Sequence, residues 1–223
     1  DLFTGQIAHG RVLVLLDNVE QVLTAAASLG EMLGRLPDLK LLVTSREPFH
    51  LAAEHEYPVA PLREHDGVAL FIERATAVRP DFEEEPAVVE ICRRLDCLPL
   101  ALELAAARIK ALSTGELLKR LDKRLPLLTG GPRDAPERQR TLRATIAWSY
   151  DLLTPNEQRV FARLSVFAGG CTLEAAENVC ETDLDTLAAL VDKSLLRRDG
   201  DRYSLLETIA EYARERLEQA GEL

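Results

Sequence analysis

The sequence has 223 residues, of which 47% are hydrophobic and 29% are charged. This balance is typical of a globular protein and excludes a disordered or fibrous one. The 37 Asp and Glu residues outnumber the 27 Lys and Arg residues, and a net charge of -10 does not favour general attraction to nucleic acid. No apolar run approaches the roughly 20 residues that a membrane-spanning helix needs. We therefore expect a cytoplasmic protein with no membrane partner.

The first part of the chain is predicted to form a β-α-β unit. Residues 11–17 and 39–45 are short apolar runs, and residues 21–36 between them have a helical pattern. A third strand is predicted at 56–60, where the α/β region ends. Continuous apolar strands that alternate with helices indicate a parallel sheet, and such sheets bind ligands at the carboxyl ends of their strands.

The remainder of the chain is predicted to be helical, with one hairpin. Ser113 and Glu116 have the spacing of a capping box, and so do Thr154 and Glu157. Residues 129–137 contain the breaks expected of a linker. Further helices are predicted at 138–153, 155–167, 173–180 and 184–194, and a hairpin is predicted to turn at Asp199-Gly200, before a last helix. Helices closed by a hairpin indicate a winged helix.

The four cysteines, at positions 92, 97, 171 and 180, have neither C-x-x-C spacing nor a nearby pair of histidines. Structural zinc sites and redox motifs generally show such patterns. We therefore expect buried free thiols and no metal or redox role.

Polar residues follow both apolar strands of the predicted β-α-β unit. Asp17 could associate with Mg²⁺, or it could form a helix-capping box with Glu20. Arg46 could contact a terminal phosphate, or it could be a solvated arginine. Because the carboxyl ends of parallel strands share an edge, each functional interpretation strengthens the other.

Pro99 follows Cys97-Leu98 and precedes a strongly apolar helical run. A proline at this position could present a rigid edge to a flat ring, or it could simply be the first residue of a helix. The physical pattern alone favours the helix start.

Six motifs occur in an order that resembles the STAND ATPases, in the NB-ARC-like branch found in bacterial transcriptional regulators of the LuxR and AfsR types. They cover nearly the whole chain, at residues 11–20, 41–48, 98–108, 148–153, 164–170 and 205–209. The resemblance implies an α/β remnant of an AAA-like P-loop NTPase domain at 1–62, a helical domain at 63–136 and a winged-helix domain at 137–223, with a mostly α fold overall. It also implies that these domains together bind ADP or ATP with Mg²⁺.

The resemblance assigns three residues to the nucleotide site. Asp17 is similar to the Walker B acid, which associates with Mg²⁺ through water. Arg46 is similar to the sensor arginine near the terminal phosphate, and Pro99 to the proline that packs on adenine.

The sequence departs from the family pattern at three of its positions. Asn18 stands where many relatives have a second acid, so any hydrolysis should be slow. Cys97 replaces a glycine beside the base, and Leu206 replaces a histidine that contacts phosphate. We expect the winged helix to sense nucleotide differently here, if at all.

The largest departure is an absence. No lysine follows a glycine, so the phosphate-binding motif G-x-x-x-x-G-K-[ST] does not occur in the sequence. The resemblance implies that the missing P-loop and an effector domain precede this segment, and that a helical-repeat sensor can follow it. We expect this chain alone to be inactive and to hold neither ATP nor ADP tightly.

The sequence thus predicts part of an ATP/ADP-dependent switch that regulates transcription. Three alternatives stay open: a degenerate scaffold or interaction module that no longer binds nucleotide, an ordinary turnover ATPase, and a winged helix that binds DNA directly. Residues 137–223 hold eleven Lys and Arg against sixteen Asp and Glu, a net of -5. Because DNA-reading surfaces are usually basic, we predict no direct DNA contact by this segment.

Overall fold

The computed structural model describes residues 10–132 and 134–222. It divides into two compact units. The first unit contains the chain up to Pro58 together with Asp192–Ser194, and the second contains Val59–Val191 and the chain from Leu195 onward.

The first unit contains a two-stranded parallel sheet. Strand β1 (Val12–Leu16) pairs with β2 (Leu39–Val43), in a register that aligns the first residues of the two strands and their last residues. A 3-10 helix (Val19–Ala25) and helix α1 (Ala26–Arg35) connect them. The predicted β-α-β unit is therefore confirmed. In place of the single helix predicted at 21–36, the chain forms the 3-10 helix, which Val22 interrupts with non-helical backbone angles, and then α1.

The prediction of a third strand at 56–60 is wrong, because this segment has no regular secondary structure. Tyr57 and Val59 are 89% and 90% exposed. Pro58 lies between them and has no backbone N-H to donate to a neighbouring strand. The alternation of apolar residues alone is not enough to form a strand here.

The second unit is mostly helical. Its helices are α2 (Glu64–Val78), α3 (Ala87–Arg94), α4 (Pro99–Ala106), α5 (Thr114–Arg120), α6 (Arg124–Leu127), α7 (Leu142–Asp151), α8 (Pro155–Arg163), α9 (Leu173–Cys180), α10 (Leu184–Asp192) and α11 (Glu207–Ala220). Short 3-10 helices lie at Ala107–Lys110, Glu137–Gln139 and Leu164–Val166. Within the described part of the chain, none of the helices is both long and apolar enough to cross a membrane.

One continuous core fills the second unit. Its buried residues extend from Phe71 in α2 to Ala213 in α11. Tyr150 of α7 packs against this core, where its ring centroid lies 5.7 Å from those of both Phe161 in α8 and Tyr212 in α11. The predicted boundary at 136/137 falls inside this unit and stays a prediction.

Both predicted capping boxes are confirmed. The Ser113 hydroxyl accepts a hydrogen bond from the backbone of Glu116, whose carboxylate accepts one in return from the Ser113 backbone. Thr154 and Glu157 form the same pair at the start of α8, where Pro155 is the first helical residue. These exchanges satisfy N-H groups that the first turn of a helix leaves without partners.

The winged-helix sheet has the order β3-β5-β4, with β3 at Cys171–Thr172, β4 at Arg197–Asp199 and β5 at Arg202–Ser204. The predicted hairpin is confirmed, but its loop is one residue later than expected. Asp199 pairs with Arg202, so Gly200 and Asp201 form the turn. Gly200 has a φ of +59°, which glycine adopts without steric cost.

The predicted linker at 129–137 is held at its beginning by Arg108, the last residue of the third motif. The Arg108 guanidinium donates hydrogen bonds to the carbonyl oxygens of Leu127 at 2.9 Å and Thr129 at 2.8 Å. Charge-assisted hydrogen bonds of this kind are stronger than neutral ones. The segment is therefore anchored where it leaves α6.

The expectation of buried free cysteines is confirmed for all four residues. Burial raises the pKa of Cys92 to about 12, so this side chain stays a protonated thiol at neutral pH. The thiolate is the form that attacks disulfides and binds metals. The structure therefore favours a packing role for Cys92.

Candidate functional site

Asp17 lies at the carboxyl edge of the parallel sheet, directly after β1. Its carboxylate accepts a hydrogen bond from the hydroxyl of Thr44, which directly follows β2. The Thr44 hydroxyl in turn accepts one from the backbone N-H of Asn18 at 3.0 Å. These bonds hold the carboxylate where bound phosphates lie in proteins with such sheets. The capping-box alternative for Asp17 is wrong, because the 3-10 helix begins after Asn18 without a side-chain cap.

Asn18 has a left-handed backbone, with φ and ψ both at 61°. Asparagine and aspartate tolerate this conformation better than most other residues with side chains. The chain bends sharply here between β1 and the 3-10 helix. Asn18 therefore suits the backbone geometry at this position.

Arg46 lies at the same edge and is ion-paired with Glu20. Its Nε donates to Oε1 of Glu20 at 3.3 Å, and the two side chains are 26% and 6% exposed. Arg46 is therefore not the solvated arginine of the alternative interpretation. The sequence pattern predicts only a capping role for Glu20, although its position just after an apolar strand and Asp17 is a signal for a site residue.

The side chains at this edge could hold Mg²⁺ only if bound phosphate supplied further oxygen ligands. Within residues 10–132 and 134–222, no group of three or more His, Cys, Asp or Glu residues could hold a metal ion. Mg²⁺ in phosphate-transfer sites is commonly held by one or two carboxylates, with phosphates and water completing its shell. Asp17 matches that minimal contribution. Its role as a Mg²⁺ residue stays a prediction.

Pro99 belongs to the second unit, where it is the first residue of α4. The helix-start interpretation is therefore confirmed. The turn before it is unusual, because Asp96 and Cys97 have φ values of +54° and +50°. Cys97 thus retains the left-handed backbone for which glycine is best suited. Packing of Pro99 on adenine stays a prediction.

Asp96 also caps the start of α11. Its Oδ2 accepts hydrogen bonds from both the backbone N-H and the hydroxyl of Thr208, each at 3.2 Å. The N-cap residue of α11 is Leu206, which has no side-chain acceptor. A carboxylate at a helix N-terminus is favourable because it satisfies exposed N-H groups and interacts with the helix dipole.

A second carboxylate, on α11 itself, caps the start of α6. Glu211 of α11 accepts hydrogen bonds from the backbone N-H groups of Arg124 at 2.9 Å and Leu125 at 3.2 Å, at the start of α6. Asp96 thus ties the turn before α4 to α11, and Glu211 ties α11 to α6. Each tie connects residues far apart in the sequence, so neither could be inferred from local spacing.

Asp96→Ala is expected to lower the free energy of unfolding by about 2 kcal/mol, through loss of the cap and strain of alanine in a left-handed conformation. Asp96→Asn should cost less, because asparagine keeps an acceptor and tolerates this backbone. Urea unfolding of the purified chain measures both. Asp122→Ala is the matched control, since Asp122 is 81% exposed in its ion pair with Arg94 and its removal should have little effect. Equal losses for Asp96→Ala and Asp122→Ala would contradict the capping role.

The third helix of the winged helix carries no basic residue. In many winged helices this helix enters the DNA groove, but α10 has the sequence Leu-Asp-Thr-Leu-Ala-Ala-Leu-Val-Asp. Its charged residues, Asp185 and Asp192, would repel phosphates. The predicted absence of direct DNA contact is consistent with this charge and stays a prediction.

Comparison with known proteins relates the chain to bacterial regulators. A family described as winged helix-turn-helix domain matches residues 153–218. A Mycobacterium tuberculosis protein named as an HTH-type transcriptional regulator is 46% identical over 233 residues, which cover 97% of this chain and 26% of that protein. The regulatory protein AfsR of Streptomyces griseus is 31% identical over 227 residues, which cover 96% of this chain and 22% of AfsR. The chain thus spans about a quarter of the length of these relatives.

Among solved structures, the Walker-type ATPase of Pyrococcus abyssi matches 90% of this chain and 62% of its own, with a TM-score of 0.60 and 15% sequence identity. At this identity the match shows the fold alone. The predicted fold class is confirmed: the chain is mostly helical, has an ATPase-like fold and contains a winged helix-turn-helix domain at 153–218.

Proposed function

We propose that this chain is part of an ATP/ADP-dependent switch that regulates transcription. The observation that carries the proposal is the placement of Asp17, Thr44, Arg46 and Glu20 at one carboxyl edge of a parallel β1-β2 pair. Such edges are where nucleotide-binding α/β proteins place their ligands. Regulation of transcription is supported by the names of the relatives and by the winged helix.

We further propose that the intact protein supplies a phosphate-binding loop and additional strands. The uncovered face of the sheet supports this: Leu13, Leu15 and Leu42 are 58%, 69% and 55% exposed. Parallel sheets are normally covered on both faces, so these leucines fit contacts with further elements of a nucleotide domain. We also propose that the intact protein contains an effector domain and a helical-repeat sensor.

The three residues assigned to nucleotide binding have separate roles in this proposal. Asp17 would orient Mg²⁺ through water, and the bound ion would supply positive charge to neutralise the phosphates. The Arg46 guanidinium contacts the terminal phosphate, and Pro99 packs on the adenine ring. ATP and ADP then favour different states of the protein. Each nucleotide shifts the balance between two states only as far as it binds one of them more tightly than the other.

Transcript profiling of three strains tests the proposal: wild type, a deletion of the gene and an Asp17→Ala allele. We expect the deletion and the Asp17→Ala allele to change overlapping sets of transcripts. A deletion that changes no transcript would exclude a role in transcription. An Asp17→Ala allele that behaves as wild type, while the deletion does not, would favour the degenerate scaffold.

We predict that the 223-residue chain shows no sequence-specific binding to duplex DNA, because residues 137–223 carry a net charge of -5 and α10 is acidic. An electrophoretic shift assay at low salt with a library of duplexes checks this. A sequence-dependent complex tighter than about 1 μM, within the range of specific DNA binders, would instead favour the winged helix as a DNA-binding module.

A further inference from the structure

Glu20 is a nearly buried carboxylate at the sheet edge that holds Asp17. It lies in the first turn of the 3-10 helix, and its side chain is only 6% exposed. Its Oε1 accepts the hydrogen bond from Arg46 Nε at 3.3 Å. Its buried Oε2 has no hydrogen-bond partner among the residues that the structure describes. Arg46 therefore supplies charge compensation to a carboxylate that is otherwise poorly satisfied.

This pairing affects any anion that approaches Arg46. A buried carboxylate is costly without a cationic partner, so Glu20 has a strong requirement for the guanidinium. A phosphate that binds Arg46 must therefore compete with Glu20 or share the guanidinium with it. In the shared arrangement the two anions repel each other across a short distance in a partly buried environment.

We propose that Glu20 sets the relative affinity of the site for ATP and ADP through its hold on Arg46. The inference rests on the proposed function, in which Arg46 faces the terminal phosphate. ATP places its additional phosphate against the Glu20–Arg46 pair, whereas ADP lacks that group. Glu20 is thus a positioning residue that lowers ATP affinity and favours the ADP-bound state.

The inference is tested by calorimetric titration of the full-length protein with Mg-ATP and Mg-ADP. Glu20→Gln keeps the side-chain length and removes the negative charge. We expect it to tighten ATP binding by about tenfold, in line with the loss of one charge-assisted hydrogen bond that competes for Arg46, and to change ADP binding by less than about twofold. In an Arg46→Ala background, Glu20→Gln should no longer change the ratio of the two affinities.

Glu31→Gln is the matched control, because Glu31 forms an exposed pair with Arg35 on α1 at 3.7 Å. It should leave both affinities unchanged. A Glu20→Gln protein that binds ATP no more tightly than wild type, or that gains equally for ATP and ADP, would overturn the inference while leaving nucleotide binding intact. A wild-type protein that binds neither nucleotide would instead overturn the proposed function and the inference with it. Should Glu20→Gln fail to fold, Glu20→Asp replaces it, with a smaller shift expected in the same direction.

Discussion

Asp17→Ala in the full-length protein is expected to weaken Mg-ATP binding by tenfold or more. Mg²⁺ in such sites keeps several waters and depends on few carboxylates, so loss of one should remove most of the metal's contribution to nucleotide affinity. Titration of ATP with Mg²⁺ and with EDTA measures that contribution directly. The variant should bind ATP with nearly the same affinity in both conditions, whereas wild type should bind it more tightly with Mg²⁺.

Asp38→Ala is the control for this experiment. Asp38 is an exposed carboxylate that precedes β2, at the opposite edge of the same sheet. Its removal changes the net charge by the same amount and should leave the Mg²⁺ dependence unchanged. If Asp17→Ala retained the full Mg²⁺ dependence, another residue would have to orient the metal, and the assignment of Asp17 would be wrong.

Gly170→Ala is expected to lower the free energy of unfolding by roughly 3 kcal/mol, from a left-handed backbone combined with a steric clash. Gly170 has a φ of +86°, and a Cβ at this position would lie 2.4 Å from the carbonyl oxygen of Tyr203 in β5. Because that oxygen belongs to the backbone of the winged-helix sheet, relief of the clash requires the strands to move. Urea unfolding of the purified chain measures the loss.

Substitution of the neighbouring Gly169 distinguishes the cost of the left-handed backbone from the cost of the steric clash. It has a φ of +76°, but a Cβ added at this residue would have no contact within 4 Å among the described residues. Gly169→Ala should therefore show only the backbone cost, roughly 1 kcal/mol. Equal losses at the two positions would mean that β5 adjusts easily, and that the Gly169-Gly170 pair is required for its backbone conformation alone.

Helix starts and turns that are marked by residues close together in the sequence were predictable. The capping boxes at Ser113 and Thr154 each depend on two side chains three residues apart, and the structure contains both. The hairpin could be found because Asp199-Gly200 marks a turn, although the loop lies one residue later. The false strand at 56–60 shows the limit of such signals, because a strand also requires a hydrogen-bonded partner.

Side-chain interactions that join distant parts of the sequence were less predictable. Glu20 and Arg46 are 26 residues apart, and Asp96 and Thr208 are 112 residues apart. No local spacing encodes these pairs. The parallel sheet explains why Asp17 and Arg46 share an edge, but the partner of Arg46 became apparent only from the packing of the 3-10 helix against that edge.

Calorimetric titration of ATP and ADP, with Mg²⁺, into the full-length protein and into the 223-residue chain tests the central claim most directly. The account predicts that the full-length protein binds both nucleotides and that the shorter chain binds them only with a dissociation constant of roughly 1 mM or weaker, because it lacks the loop that cradles phosphates. A full-length protein that binds neither nucleotide would contradict the switch, and tight binding by the 223-residue chain would contradict the proposed need for that loop.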